Sequence, residues 1–320
     1  MYNILVIGGA GFIGTNLNNY LSNKKFVKSI LIIDNLSSTK KLLLKLDLKK
    51  STLIKKDISD LINNKKLFKK IDIIVHLAAN PDISLASTHP KIDFDKGTKI
   101  TQDVIEIARK NNIKKIIFSS GSGVYGMQGS KSLKENFSPL EPISTYGASK
   151  LASEALLHSY SYLFNINSII FRFGNVVGRY QTHGVMYDML HKIKNNPYSV
   201  EVLGDGNQNK PYIHVDEVVQ AISYFIKNPK NINKAITYNL APKNTITVRK
   251  ILSLIDIEAK KKFKDLKIKY NFQNSKYGWL GDVPILKLNC NKFSKEVYKF
   301  ESDSIISAKK AIKELIAEIL

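Results

Sequence analysis

The chain has 320 residues, a mass of 36.1 kDa and an apolar fraction of 43%, which exclude a small disulfide-stapled scaffold and favour a protein with a sizeable core. Its formal net charge is +22, but lysine supplies nearly all of the basic residues, and they are spread among apolar positions, so we predict neither a nucleic-acid partner nor a membrane partner. No apolar run reaches the ~18 residues of a membrane span, and no secretory signal is recognisable. The one cysteine, Cys290, cannot form an internal disulfide. We therefore expect a cytoplasmic protein.

Short apolar runs rich in β-branched residues alternate with helical patterns along the first half of the chain. The runs occupy residues 2–9, 29–34, 51–57, 71–79, 112–120 and 166–176. Strands of this composition are buried on both faces, and their alternation with helices predicts right-handed βαβ units. After about residue 174, clusters of Gly, Pro and Asn interrupt the pattern. The sequence therefore predicts an α/β fold, a doubly wound parallel sheet with a smaller C-terminal substrate-binding lobe.

Three glycines, Gly8, Gly11 and Gly14, follow the first strand directly and lead into a helical pattern. Glycines at this spacing let the backbone approach a pyrophosphate, which the amides at the helix N-terminus then stabilise. Asp34 ends the second strand twenty residues after Gly14, where a carboxylate accepts hydrogen bonds from ribose hydroxyls. Because a carboxylate repels a 2′-phosphate, these residues predict NAD and not NADP.

Two further segments complete the predicted cofactor site. Asp57 and the Ile58 amide, at the end of the third strand, are candidates to meet the adenine ring, and small residues follow the fourth strand where a backbone must lie against the cofactor. The predicted cofactor residues are Gly8, Gly11, Phe12, Ile13, Gly14, Asp34, Asn35, Asp57, Ile58, Leu77, Ala78, Ala79, Tyr146 and Lys150.

Tyr146 and Lys150 are four residues apart in a helical segment, which places them on one face about one turn apart. A phenol with a reference pKa of ~10 is a weak base at neutral pH, but a neighbouring ammonium and a cationic nicotinamide stabilise the phenolate and lower the phenol pKa. Such a tyrosine can remove the proton of a sugar hydroxyl while the carbon gives hydride to NAD. We therefore predict that this pair is catalytic.

The chain resembles the extended short-chain dehydrogenase/reductase family, in its NAD-dependent epimerase/dehydratase branch. The motifs that carry the resemblance are GGAGFIG (8–14), IIDN (32–35), HLAA (76–79), FSSGSGVYG (118–126), YGASK (146–150), RFGNVVG (172–178), PYIHVDEVV (211–219) and GDVP (281–284). The resemblance implies an NAD-binding modified Rossmann domain of residues 1–173 plus about 212–242, and a lobe of about 174–211 plus 243–320 that binds a nucleotide-diphosphate sugar. It also implies a homodimer formed by helices that carry residues 98–111 and 147–163.

The resemblance further implies which reaction the site supports. The family usually has Ser or Thr where this chain has Gly121, so Ser120 or Ser122 is expected to supply the hydroxyl that binds the reacting sugar oxygen. The acidic pair of the 4,6-dehydratases is replaced by Ser122 and Gly123. Epimerisation at C4 through a transient 4-keto sugar is therefore the leading prediction. A 4,6-dehydratase, a C4 dehydrogenase or reductase, and a non-catalytic NAD(H)-binding regulatory protein remain alternatives.

The substrate-binding candidates are more dispersed than the cofactor residues. Asn175 belongs to the family's R-x-x-N pattern, Arg179 and His183 lie in a polar loop, and Lys210 stands where relatives carry an arginine for the diphosphate. The histidines and the single cysteine have no metal-ligand spacing, so we predict no metal site.

Overall fold

The computed structural model describes residues 1–37, 40–228 and 234–320, and within these ranges the chain divides into two units. Unit 1 contains residues 1–121, 145–172 and 217–238, and unit 2 contains residues 122–144, 173–216 and 239–320. Residues 122–144 thus belong to unit 2, whereas the sequence-based division assigns them to the NAD-binding domain. This segment lies between two long unit 1 elements and has little apolar periodicity of its own, so no local signal separates it from them.

The described residues form fifteen strands and ten helices, with short 3₁₀ segments between them. The strands are β1 (Tyr2–Ile7), β2 (Val27–Asp34), β3 (Ser51–Lys55), β4 (Ile73–His76), β5 (Lys115–Gly121), β6 (Ser132–Leu133), β7 (Asn167–Phe173), β8 (Asn175–Val177), β9 (Val200–Val202), β10 (Asn209–Lys210), β11 (Tyr212–His214), β12 (Ala235–Leu240), β13 (Ile246–Thr247), β14 (Tyr270–Phe272) and β15 (Lys287–Leu288). The helices are α1 (Phe12–Ser22), α2 (Lys65–Phe68), α3 (Lys91–Asp93), α4 (Lys99–Lys110), α5 (Thr145–Phe164), α6 (Val185–Asn195), α7 (Val215–Lys227), α8 (Val248–Lys262), α9 (Asn291–Glu296) and α10 (Ser304–Ile319).

The central sheet has seven strands in the order β12-β7-β5-β4-β1-β2-β3. The pairs of β1 with β2, β1 with β4, β2 with β3 and β4 with β5 are all parallel, as the strand-helix alternation predicts. Strand order reverses between β1 and β4, so that β2 and β3 lie on one side and β5, β7 and β12 on the other. In such sheets the loops at the carboxyl ends of the two strands at the reversal form a ligand crevice.

Each unit has its own apolar core. In unit 1 the sheet residues Leu5, Ile74 and Ile116 are fully buried and belong to one cluster with Val104 of α4 and Leu157 of α5. Because helices cover the strands on both faces, the strand segments are almost continuously apolar.

In unit 2, α6, α8 and α10 pack together through Leu190, Ile255 and Leu315, and the short strands β9 and β14 pair in parallel beside them. Within the described ranges, no helix has both the length and the apolar character needed to cross a bilayer.

Candidate functional site

The turn between β1 and α1 is shaped by close backbone approaches that only glycine allows. Gly8 has a φ of +74°, and a Cβ there would lie 2.6 Å from the backbone nitrogen of Ala78, in the loop after β4. A Cβ on Gly14 would lie 2.6 Å from the Gly8 carbonyl oxygen. Gly11 is the N-cap of α1 and supplies no side-chain cap, so the first amides of this eleven-residue helix have no side-chain acceptor at the cap position. This is a cradle for an anionic group such as a pyrophosphate.

Asp34 lies at the carboxyl end of β2, next to this turn. Its Oδ2 accepts the Ala10 N–H at 3.0 Å and its Oδ1 accepts the Leu36 N–H at 2.8 Å. Burial raises the pKa of Asp34 above its ordinary value, although the two backbone hydrogen bonds act in the opposite direction. Since each carboxylate oxygen accepts more than one hydrogen bond, Asp34 retains the capacity to bind ribose hydroxyls.

Asp57 is held in a small polar group at the end of β3. Its side chain caps the 3₁₀ turn Ile58–Leu61 through the Ser59 N–H, accepts the Asn35 amide at 3.1 Å and lies 3.8 Å from the Lys96 ammonium. Burial alone would raise the pKa of Asp57, but these partners hold it below its ordinary value. Sequence analysis missed Lys96, which lies 39 positions from Asp57 and in a segment without a family motif.

The other predicted cofactor residues lie close in the chain to the glycine turn or to the end of β4. Phe12 and Ile13 form the first turn of α1, Leu77 continues from β4 with its N–H bonded to the Ile7 carbonyl, and Ala78 and Ala79 follow it, all half-buried or buried.

Tyr146 and Lys150 lie in the first two turns of α5, where Lys150 is buried and Tyr146 is partly buried. The Lys150 Nζ is 5.6 Å from the centroid of the Tyr146 ring and donates a hydrogen bond to the Ser119 carbonyl oxygen at 2.6 Å. The structure thus brings together the predicted catalytic pair and the end of β5.

Burial dominates the protonation of this pair. It lowers the pKa of Lys150 to about 8, against the raising effects of Glu154 and Asp93. Burial, with a further contribution from Asp93, raises the pKa of Tyr146 to about 12. The sequence predicts a phenol pKa lowered by Lys150 together with a bound nicotinamide, and in the protein alone burial and Asp93 determine the direction of the shift. A second cation is therefore needed beside Tyr146 before it can act as a base.

The two candidate serines differ in their partners. The Ser120 hydroxyl donates to Glu154 at 2.5 Å, and Glu154 also accepts two N–H groups of Arg172, the shorter at 2.6 Å. Glu154 and Arg172 form a buried ion pair whose side chains are 3% and 5% exposed. Ser122 begins the 3₁₀ turn Ser122–Tyr125 and, among the described residues, its hydroxyl has no side-chain hydrogen bond. A Cβ at Gly121 would lie 3.9 Å from Cε1 of Tyr146, at ordinary contact distance.

In unit 2 the predicted substrate residues already have protein partners. Arg179 binds Asp216 at 2.6 Å and Glu314 at 3.4 Å, and Lys210 binds Asp282 at 2.5 Å. Asn175 begins β8 and its side chain hydrogen-bonds the buried Tyr212. The exposed His183 lies 3.1 Å from the Thr182 hydroxyl.

His214 lies in the same polar cluster as Arg179. Its Nε2 is 3.0 Å from Glu314, and its Nδ1 accepts the Asp216 N–H at 3.1 Å. Burial would lower the pKa of His214, but its carboxylate neighbours raise it above its ordinary value. Arg179 and Lys310 also bind Asp216, so the two carboxylates of this cluster are matched by cations of the protein.

Comparison with known proteins agrees with this geometry. The model of the NAD dependent epimerase/dehydratase family matches residues 4–241. A putative UDP-glucose 4-epimerase of Methanocaldococcus jannaschii is 33% identical over 225 residues, which cover 68% of this chain and 71% of that protein. The crystal structure of a UDP-galactose 4-epimerase superposes with a TM-score of 0.86 at 28% identity, covering 99% of this chain and 100% of that chain. A UDP-glucuronic acid 4-epimerase from Bacillus cereus, in complex with UDP-glucuronic acid and NAD, has a TM-score of 0.86 at 25% identity with the same coverage.

Proposed function

Because the chain belongs to the NAD dependent epimerase/dehydratase family, we propose that it is an NAD-dependent UDP-sugar 4-epimerase that acts through a transient 4-keto sugar. The observation that carries the proposal is the pair of Tyr146, partly buried, and Lys150, buried, on one face of α5. This chain has Ser122 and Gly123 where the dehydratases have the acidic residues used for elimination, which supports epimerisation over dehydration. The relatives named as UDP-sugar 4-epimerases support the choice of uridine nucleotide.

NAD is the cofactor of this enzyme family, and the residues of unit 1 fit it. The glycine turn would hold the pyrophosphate, Asp34 the adenosine ribose, and the segment from Asp57 to Ile58 the adenine. When bound, NAD would supply the acceptor and donor of the C4 hydride and a positive charge in its oxidised ring.

Tyr146 supplies the proton transfer in this proposal. Its phenolate oxygen removes the proton of the C4 hydroxyl and returns it at the end of the reaction, so the enzyme is unchanged after each turnover. At neutral pH a phenol with a pKa of about 12 is protonated, so cations have to stabilise the phenolate; the Lys150 ammonium, 5.6 Å from the ring centroid, is one, and the oxidised nicotinamide would be the other. Lys150 also fixes the end of β5 through the Ser119 carbonyl.

We assign the substrate-binding hydroxyl to Ser122 in preference to Ser120. Donation of the Ser120 hydroxyl to Glu154 supports this choice, because a hydroxyl has one proton and Ser120 has placed it on a buried carboxylate. Ser120 then has a supporting role beneath the reacting groups.

The UDP-sugar would be bound by residues of unit 2. Lys210 has one carboxylate partner and three N–H donors, so its ammonium can still bind a diphosphate oxygen. We assign two residues to the rim of the binding site: Arg179, which two carboxylates hold, and the exposed His183. We assign Asn175 to the positioning of Tyr212 near the nucleotide.

We further propose a homodimer formed through α4 and α5 and a cytoplasmic location, where NAD and nucleotide sugars are available. On α5, Tyr162 is 87% exposed and Leu163 is 64% exposed, which is unusual for large side chains at the end of a helix. Leu163→Glu is expected to convert a dimer to a monomer in sedimentation velocity, while the exposed Leu44→Glu leaves the mass unchanged.

The proposed activity is tested by incubating the purified protein with UDP-glucose, UDP-galactose, and their N-acetyl and uronate forms, without added cofactor, and separating the products by ion-pair chromatography. One of these substrates is expected to reach an equilibrium of two C4 epimers with no net NADH. Tyr146→Phe is the matched variant, since it removes one oxygen and should abolish turnover while keeping bound NAD.

Each alternative has its own signature in this assay. A 6-deoxy-4-keto product would replace our proposal by a dehydratase, and stoichiometric NADH without epimer would replace it by a C4 dehydrogenase. Bound NAD without any product from any of the sugars would favour the non-catalytic protein.

A further inference from the structure

Asp93 is a buried carboxylate next to the proposed catalytic pair, and the epimerisation chemistry does not use it. Asp93 is only 1% exposed and is the last residue of α3. Its Oδ1 accepts the Asn80 amide at 3.0 Å, and its Oδ2 accepts the Thr145 hydroxyl at 2.6 Å. Asn80 is itself fixed by two hydrogen bonds with the backbone of Asp82. Asp93 therefore connects the loop after β4 to the first residue of α5.

The segment that begins at Asp93 also holds the next turn of α5. The Asp93 carbonyl oxygen accepts the Ser149 hydroxyl at 2.7 Å, and Thr98 donates to the same hydroxyl oxygen at 3.0 Å. Thr145 and Ser149 each precede a residue of the pair, Tyr146 and Lys150. Two contacts one helical turn apart fix both the position and the rotation of this part of the helix.

The negative charge of Asp93 has no cation within ion-pair distance in the described ranges, because its two side-chain partners are a neutral amide and a neutral hydroxyl. The other charged groups that act on the pair are Glu154 on α5 itself, with Arg172 of β7 bound to it. His76 of β4 is fully buried, and burial with the nearby Lys150 lowers its pKa to about 3, so it is neutral. Asp93 is thus an unneutralised charge in the electrostatic surroundings of Tyr146 and Lys150.

We propose that Asp93 is a positioning residue that holds the first two turns of α5 in place and whose negative charge sets the pH range in which the Tyr146–Lys150 pair works. The part that concerns turnover rests on the proposed epimerase function, whereas the part that concerns Lys150 does not. Asp93 raises the pKa of both members of the pair, so it keeps Lys150 charged at neutral pH and makes Tyr146 a stronger base once it is deprotonated.

The charge is tested by Asp93→Asn, which keeps the size and the hydrogen-bonding capacity of the side chain. A [ε-¹³C]lysine NMR titration from pH 6 to 10, with the Lys150 signal assigned by Lys150→Met, measures Lys150 without any catalysis. We expect its midpoint to fall by about one pH unit in Asp93→Asn, and the pH–kcat profile to move to lower pH in parallel. Asp95→Asn, two residues away on an exposed side chain bound to Lys91, is the matched control and should move neither.

An unchanged Lys150 midpoint in Asp93→Asn, or an equal change in Asp95→Asn, would overturn the proposal. If Asp93→Asn does not fold, Asp93→Ser, which is smaller and equally neutral, replaces it and must give the same fall in the Lys150 midpoint. Thr145→Val keeps the charge and removes the helix contact, so it should reduce kcat several-fold without moving the Lys150 midpoint, and full kcat would refute the positioning role. A protein that forms no epimer but shows the shift in midpoint refutes the proposed function and leaves the role of Asp93 standing.

Discussion

The buried ion pair between Glu154 and Arg172 makes a strong prediction about stability. Both side chains are almost fully buried, and Glu154 accepts hydrogen bonds from two N–H groups of Arg172 and from the Ser120 hydroxyl. Glu154→Gln removes the negative charge but retains the shape. One amide group then faces the guanidinium, at least one charge-assisted hydrogen bond worth about 1.5–3 kcal/mol is lost, and the buried Arg172 guanidinium loses the carboxylate paired with it. We expect a loss of about 3–5 kcal/mol in the free energy of unfolding.

The assay is urea unfolding followed by far-UV circular dichroism at pH 7, for the unaltered protein and Glu154→Gln. Glu106→Gln is the matched control, because Glu106 makes the same bidentate contact with Arg109 at 2.8 Å, but the Arg109 side chain is 39% exposed. An exposed pair contributes about 0–1 kcal/mol, so the control should change little. If Glu154→Gln costs no more than Glu106→Gln, burial does not determine the energy of the pair and our reasoning is wrong.

Three further predictions concern the glycines of the site and one buried lysine. Gly14→Ala places a Cβ 2.6 Å from a carbonyl oxygen of the glycine turn, so the purified variant should release no NAD on denaturation. Absorbance at 260 nm measures the release, and retention of NAD by the variant would contradict the proposed cradle. Gly121→Ser adds a hydroxyl on a Cβ that lies 3.9 Å from the Tyr146 ring and is expected to raise kcat about tenfold, whereas Gly121→Ala, with the same Cβ and no hydroxyl, should not. Burial lowers the pKa of Lys115 to about 8 from 10.5, so the unfolded chain binds more protons between these values and stability should rise with pH across that interval. Lys115→Met should remove part of this rise in stability with pH, and in urea unfolding at pH 7 it should increase the free energy of unfolding by about 1–3 kcal/mol. If the free energy of unfolding changes with pH from 8 to 10 as steeply in Lys115→Met as in the unaltered protein, the shifted pKa is not that of Lys115.

The parts of the fold that sequence analysis predicts are those coded by local pattern. Apolar runs give the sheet strands because both faces of each strand are covered, and the glycine spacing gives the turn at Gly8 because the backbone of Ala78 occupies the place of a Cβ. The four-residue spacing of Tyr146 and Lys150 gives their common helix face directly. In each case a local pattern is enough for the prediction, even where its physical reason lies in another element, as it does for Gly8 and Ala78.

The parts that sequence analysis missed depend on partners far apart in the chain. Asp93 and Thr145 are 52 positions apart, and Arg179 and Glu314 are 135 positions apart. No periodicity indicates which acidic residue will meet which donor. The pKa of Tyr146 shows the same limit, because its direction depends on burial and on Asp93, neither of which the Tyr-x-x-x-Lys spacing contains.

The way the chain alternates between the two units restricts how this enzyme can diversify. It changes from one unit to the other after residues 121, 144, 172, 216 and 238, so neither unit is encoded by one continuous stretch of the gene. A recombination event therefore cannot exchange unit 2 for another as a single cassette. On the proposal that unit 2 binds the sugar, new sugar preferences have to arise by point changes or by insertions within its three segments. The first two changeovers, beside Gly121 and Tyr146, are the places where such an insertion would disturb the proposed chemistry most.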